Sequence, residues 1–375
     1  MAEIYTASES ASLGALSPEA SEHINSVLAE LGLGGSQAVA IQTDSAGLSV
    51  APGVDAVVAI PSAGETSVVS VSDEPVAVIL AGGGSARIEG VGDVTVHASD
   101  AGNAIELGAG NATVWGGAGA DSLSGGTAGG NHALYAVGAG DTLAGGSGSD
   151  TLWGSETGGS LLLGGANGGT EIRAGAGGGD TIRSSGAQDT IYGGHATIYA
   201  SGHSAQVHAD GDTVHSSGDG TTIDGSASAQ ALHVDSVGRF ATILGGAGND
   251  TIMLHDAPGA HVATGAGNDH LAASMQGQAT LDGGAGDDSF LLYGATDSVI
   301  GGDGSDHFAI LGHGTGYDTL DGGAGDDTAW FRDRDHTSAQ INHSGLSTFV
   351  SFDDGYSASL TGIEHLQFRD TVLSS

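Results

Sequence analysis

The sequence predicts an all-β protein: a right-handed parallel β-roll or β-helix solenoid, with one short helix near its start and a β cap at its end. Three observations lead there. A nine-residue pattern returns at a distance of eighteen, so that Gly283, Gly284, Gly286, Asp288 and Phe290 recur as Gly301, Gly302, Gly304, Asp306 and Phe308. Apolar triplets such as Val94-Thr95-Val96, Ile105-Glu106-Leu107 and Thr113-Val114-Trp115 follow one another about every nine or ten residues. Glycine supplies 70 of 375 residues without a three-residue period, which excludes collagen, and the regular apolar positions argue against simple disorder. Strands this short, joined by glycine turns with nothing helical between them, suit stacked coils whose alternate residues form a shared core.

Residues 1–36 form an N-terminal segment whose first sixteen residues are small, polar and loose. Ser17-Pro18-Glu19 then reads as a helix start, with Ser17 as N-cap and Pro18 in the first turn. Ile24, Val27, Leu28 and Leu31 share one face and Gly32 is the stop. This helix is expected to cap the open first coil of the solenoid, or else to dock on another molecule.

Residues 37–107 are β-rich, with a period of two at Val39 and Ile41 and short apolar runs at 57–60, 68–71 and 76–80. A first repeat block spans 108–154. Between 155 and 240 the glycine pairs decay while Asp180-Thr181-Ile182, Asp189-Thr190-Ile191 and Asp212-Thr213-Val214 persist. That block is expected to be held by its apolar ladder and to be poor in bound ions. The main repeat block runs over 241–330, and 331–375 forms the C-terminal β cap.

The repeat itself has a chemistry. Its glycines allow φ > 0 and turn carbonyls inward, its aspartate adds a hard anionic oxygen, and its large apolar residue points into the core. Two such turns one coil apart would enclose a calcium ion. The formal charge of −38, from 45 acidic against 7 basic residues, excludes nucleic acid and acidic membranes as partners and calls for a multivalent counter-ion. A generically solvated acidic surface would scatter glutamate with aspartate, whereas here aspartate sits at fixed repeat positions.

The nonapeptide G-G-x-G-x-D-x-U-x, with U a large apolar residue, closely resembles the repeats-in-toxin (RTX) calcium-binding repeat. Full copies occupy 116–124, 145–153, 245–253, 283–291 and 301–309. The copy at 322–330 has Ala329 in place of the large apolar residue, and that at 264–272 has Thr264 in place of the first glycine. In the second block the loops start at 245, 264, 283, 301 and 322, so they are expected to stack on one edge, with plainer turns such as 256–259 and 294–297 opposite. The metal ligands named on this basis are Asp250, Asp269, Asp288, Asp306 and Asp327, helped by backbone carbonyls of loops that begin at Gly245, Gly283, Gly301 and Gly322. Asp121 and Asp150 are weaker candidates in the first block.

Residues 362–370, Gly-Ile-Glu-His-Leu-Gln-Phe-Arg-Asp, resemble the C-terminal flank of RTX proteins, and the acidic-then-apolar end that follows is similar to that of proteins exported by a type I secretion channel. There is no basic, apolar leader before Arg87 and no membrane span. The resemblance therefore implies an extracellular or cell-surface protein that binds calcium and passes through the type I apparatus. No H-E-x-x-H or G-x-S-x-G motif occurs, and no enzyme is expected. Sixteen histidines are read as surface residues, His208 and His215 facing outward, with transition-metal binding or pH sensing as the other readings. The expected role is a self-associating structural component of a surface layer or biofilm matrix; the alternatives are an adhesin for polysaccharide or lipopolysaccharide and, behind it, a polysaccharide-active enzyme.

Overall fold

The computed structural model describes residues 17–32, 39–42, 47–61, 64–274, 278–293, 296–312 and 315–374. The N-terminal sixteen residues and the first half of the turn at 294–297 lie outside them. By internal contacts the chain divides into two units, residues 1–190 and 191–375.

In the first unit, alternation of small polar and apolar residues makes two- to six-residue strands, and each coil contributes one strand to each of two parallel faces. On one face Val94–His97 pairs with Ala112–Trp115, which pairs with His132–Tyr135, then Thr151–Trp153, then Glu171–Arg173. On the other, Asn103–Glu106, Ser122–Ser124, Thr142–Ala144, Leu161–Leu163 and Thr181–Ser184 pair in order. The inward columns Val96, Val114, Leu134, Leu152, Ile172 and Ile105, Leu123, Leu143, Leu162, Ile182 are all buried and form the core. Outside the first face, in-register residues make a ring ladder: His97 on Trp115 at 4.8 Å, Trp115 on Tyr135 and Tyr135 on Trp153 both at 5.5 Å, with Arg173 over Trp153.

The helix forms as its spacing predicts, over Pro18–Glu30, with the Ser17 hydroxyl accepting from the Ala20 N–H. Its seat corrects the expected cap. Ile24, Val27 and Leu28 pack on Ala56, Val58, Ala77 and Ile79, the outward residues of strands Ala56–Ala59 and Val76–Leu80, and on Ala81 just beyond the second strand. Val57 and Val78, between them, fill the interior column that continues to Val96. Among the described residues the helix thus covers the flank of successive coils and does not plug the open end. The cause is local: those two strands are apolar on both faces, so the outer face also needs cover.

In the second unit the same scheme continues from Thr197–Ala200 and Gln206–His208 onward, with Val214, Val234, Ile252, Leu271, Phe290, Phe308 and Ala329 as one interior column. Phe290 and Phe308 stack at 4.9 Å. The parallel order then stops. Tyr356–Thr361 pairs parallel with Gly316–Ala324 on one side and antiparallel with Ser347–Phe352 on the other, and Val372–Ser374 turns back on His365–Phe368. This antiparallel end is locked by buried Arg334, which binds Asp354 at 3.0 Å and lies against the rings of both Phe352 and Tyr356.

Ile24→Ala should cost about 2–5 kcal/mol of helix docking. Hydrogen exchange should show the amides of Pro18–Glu30 losing protection while the interior strands keep theirs.

Candidate calcium-binding edge

Two residues before each core residue of the second face, the chain enters the strand from a turn. In the second unit this position is held in succession by Ala196, Asp212, Leu232, Asp250, Asp269, Asp288, Asp306, Asp327 and Glu364. The five aspartates named from the main repeat block therefore form one column on one edge. Each hands its Oδ1 to the coil before it: Leu232 N–H donates to Asp250, Asp250 to Asp269, Asp269 to Asp288, Asp288 to Asp306 and Asp306 to Asp327, all at 2.7–2.8 Å. Asp327 N–H donates in turn to Glu364 at 2.9 Å.

The second carboxylate oxygens are different. Oδ2 of Asp250, Asp269, Asp288, Asp306 and Asp327 is buried and has no hydrogen-bond partner. An anionic oxygen in that state is costly unless a cation meets it. The first glycine of the loop defines the space beside it. A Cβ on Gly245, Gly283, Gly301 or Gly322 would collide with Oδ2 of the loop's own aspartate and with a carbonyl of the next coil, that of Thr264, Gly301, Gly322 and Gly362 respectively. Only glycine leaves room for a carboxylate oxygen and a carbonyl oxygen to share the cradle, and hard oxygen donors of this kind are what calcium takes. Among the described residues no three carboxylate or imidazole groups converge, so carbonyls must complete any ion's shell. Thr264, which replaces a first glycine, donates its hydroxyl to the Gly283 carbonyl at 2.8 Å.

Four of the five loops also share a left-handed backbone conformation. Gly284 and Gly286 have φ of 99° and 129°, and the Gly286 N–H donates to the Asp303 carbonyl of the next coil at 2.7 Å. The same positions are also left-handed in the loops beginning at 264, 301 and 322. In the loop beginning at 245 neither Gly246 nor Gly248 is left-handed, yet Asp250 Oδ2 is unpartnered as well.

Asp121 and Asp150 sit in the same nonapeptide but close it another way. The Gly117 N–H donates to Asp121 Oδ2 and the Gly146 N–H to Asp150 Oδ2, both at 2.7 Å, and neither glycine is left-handed. Their Oδ1 atoms accept from Asn103 and His132. All four oxygens are satisfied by amides. The two loops also lie on opposite edges, because their starts are 29 residues apart, a coil and a half. That spacing was readable in the sequence. Asp141 shares Asp121's edge and likewise has both oxygens on amides, those of Asp121 and Val137.

Two further features escaped the sequence reading. Glu364 fills the aspartate position of the last coil; its place two residues before Leu366 was the available signal. The opposite edge of the second unit is not plain: Asp297 accepts from Ala279 through Oδ1 and keeps a buried, unpartnered Oδ2, while Asp318 receives the Tyr356 hydroxyl at 2.6 Å. In the central block Asp180 and Asp212 have both oxygens on amides, and Ala196 and Leu232 interrupt the second unit's column.

Burial pushes the column's carboxyls up: Asp250 and Asp306 to about 6, Asp288 to about 7 with charge from Asp269 and Asp306 adding to it, and Asp269 and Asp327 in the same direction. Burial also lifts Asp121 to about 6, so the unpartnered oxygen, and not the raised pKa, distinguishes the ion-ready loops. An unfolded chain ionises these groups near 4. Between about pH 4 and 7 the metal-free fold therefore holds more protons than the unfolded chain, and its stability must fall as pH rises. Calcium needs the ionised form, so its affinity must rise over the same window with release of protons. Thermal melts of calcium-depleted protein at about pH 4.5 and 7.5, with calcium titrations at both, should show these opposite slopes.

A family model for the RTX calcium-binding nonapeptide repeat (4 copies) matches residues 97–128, 135–156, 242–255, 276–308 and 314–331. No curated protein matches the chain. Such repeats bind calcium, and here they recur along parallel coils with unpartnered carboxylate oxygens on one edge of the second unit: the matched segments are RTX calcium-binding repeats.

Proposed function

We propose that this protein is a non-enzymatic, secreted structural component of the cell exterior, a surface-layer or biofilm-matrix subunit that orders when calcium rises around it. One observation carries the reading: five buried carboxylate oxygens without partners, stacked one per coil. Oδ2 of Asp250, Asp269, Asp288, Asp306 and Asp327 would hold the ions, with carbonyls of Thr264, Gly301, Gly322 and Gly362 beside them. In a calcium-poor cytoplasm the buried aspartates disfavour the stacked coils and the chain stays export-competent for a type I channel. Outside, at the roughly 10⁻⁴ to 10⁻³ M affinities of extracellular sites, binding free energy becomes folding free energy. Self-association of the ordered solenoid then gives the layer or matrix. No helix among the described residues is long and apolar enough to cross a membrane.

A calcium-dependent adhesin is the second reading, and one feature of the first unit favours it. An open groove of roughly 530 Å³ is lined by Thr95, Thr113, Thr151, Asn111, Asn131 and Asp93, whose hydroxyls, amides and carboxylate suit polysaccharide. The ring ladder of Trp115 and Tyr135 gives less support, since its faces are spent on each other.

Asp288→Asn should lower the number of bound calcium ions and weaken calcium-induced β structure at least ten-fold in midpoint, by circular dichroism and calorimetry. Asp121→Asn and Asp150→Asn should leave that midpoint within about two-fold, because amides already satisfy both oxygens. Electron microscopy with calcium should show sheets or filaments; monomers that bind a glycan array would favour the adhesin. A fully formed β signal in excess chelator would remove the folding switch.

A further inference from the structure

Outside the calcium edge, the second face of the second unit carries a cluster of imidazoles around one carboxylate. His215 lies on strand Thr213–Ser216, His233 and Asp235 on His233–Ser236, and His255 directly follows Thr251–Leu254. The interior residues Val214, Val234 and Ile252 are fully buried, so strand alternation sends His215, His233 and Asp235 outward. Register places His215 opposite Asp235. His215 Nδ1 is 3.1 Å from Asp235 Oδ2, His233 Nε2 is 3.8 Å from the same oxygen, and His255 Nε2 is 3.7 Å from Oδ1. Tyr199 stacks on the His215 ring at 5.0 Å, and the His255 N–H is fixed to the Ser236 carbonyl at 2.7 Å.

We propose that His215, His233, His255 and Asp235 form a binding site for a divalent transition metal, with zinc as the ion that fits best. Three imidazoles and a carboxylate are a zinc donor set, whereas calcium takes oxygen donors and would not choose imidazole. A tetrahedral ion with bonds of about 2.0–2.1 Å holds its donors about 3.3–3.4 Å apart. The three N···O separations bracket that edge. In the metal-free arrangement the rings surround the carboxylate and no three donors meet at one point among the described residues. Rotation of side chains that are 33–59% exposed is the adjustment binding requires, with no movement of the strands.

The position gives the site a use. It joins three successive coils at the place where the carboxylate column is broken, since Ala196 and Leu232 stand where aspartates would be and Asp250 begins the unpartnered series. A transition metal here would staple coils that calcium does not, and would brace the first ion-ready loop.

The test uses the full chain, calcium-loaded, at neutral pH, titrated with zinc by calorimetry and with cobalt(II) by visible absorption. One zinc per chain and the absorption of four-coordinate cobalt are expected. His215→Ala, His233→Ala, His255→Ala and Asp235→Asn should each weaken zinc at least ten-fold with unchanged circular dichroism in calcium. His307→Ala, on the same face, should not change it. No zinc binding, equal binding by the four variants, octahedral cobalt, or an equal loss in His307→Ala would overturn the site. Because Asp288→Asn tests the calcium edge separately, the two readings can fail independently.

Discussion

The hydrogen bond from one coil's backbone amide to the next coil's aspartate Oδ1 is the constraint on which the repeat region depends. A parallel solenoid of short strands gains little from any one strand, and its turns would leave amides unsatisfied at every coil. A carboxylate that reaches across the coil boundary satisfies such an amide and fixes the axial register at once. It does so at the cost of burying a charge, so the other oxygen must be satisfied too. Two solutions appear in one chain. In the loops beginning at 116 and 145 the second glycine's N–H caps Oδ2 and the turn is complete within protein. In the loops beginning at 245, 264, 283, 301 and 322 Oδ2 is left for an ion, with the glycines left-handed in the last four of them. One motif thus yields a self-sufficient turn or a metal-dependent one.

The fold was legible because a nine-residue period leaves few alternatives. Phe290 and Phe308 recur with their glycines, and their stacking follows from that recurrence alone. The helix was legible from Ile24, Val27 and Leu28, but its seat was not, because Ala56, Val58, Ala77 and Ile79 look like ordinary strand residues until the opposite face of the same strands is seen to be buried as well. The ion-ready edge was legible for Asp250, Asp269, Asp288, Asp306 and Asp327, whose loops neighbour one another at one-coil spacing. It was not legible that Asp121 and Asp150 differ, since a loop's closure depends on what stacks against it and not on its nine letters. Asp297, Asp141 and Glu364 lie in turns that only partly match the pattern, and register, which sequence does not print, is what brings them to an edge. Likewise His215, Asp235 and His255 are twenty residues apart, a coil each, yet a period counted on glycines passes over them.

The two edges of the second unit also divide the stabilising work. The C-terminal end relies on chemistry that needs no ion: Tyr356 satisfies Asp318, and Arg334 sits against two rings with Asp354 as its counter-charge. The calcium column ends on Glu364, immediately before strand His365–Phe368, whose Phe368 meets the Phe352 ring edge-on. The coils most in need of a cation are therefore anchored to the part of the unit least dependent on one.

The column of amide-to-carboxylate bonds has a direction. In every link the acceptor belongs to the later coil and the donor to the earlier one, from Glu364 back through Asp327, Asp306, Asp288, Asp269 and Asp250 to Leu232. Each coil is thus templated by its successor, and the antiparallel end is the one member whose shape is set independently. Order laid down there can be copied upstream, coil by coil, against the direction in which the chain is synthesised.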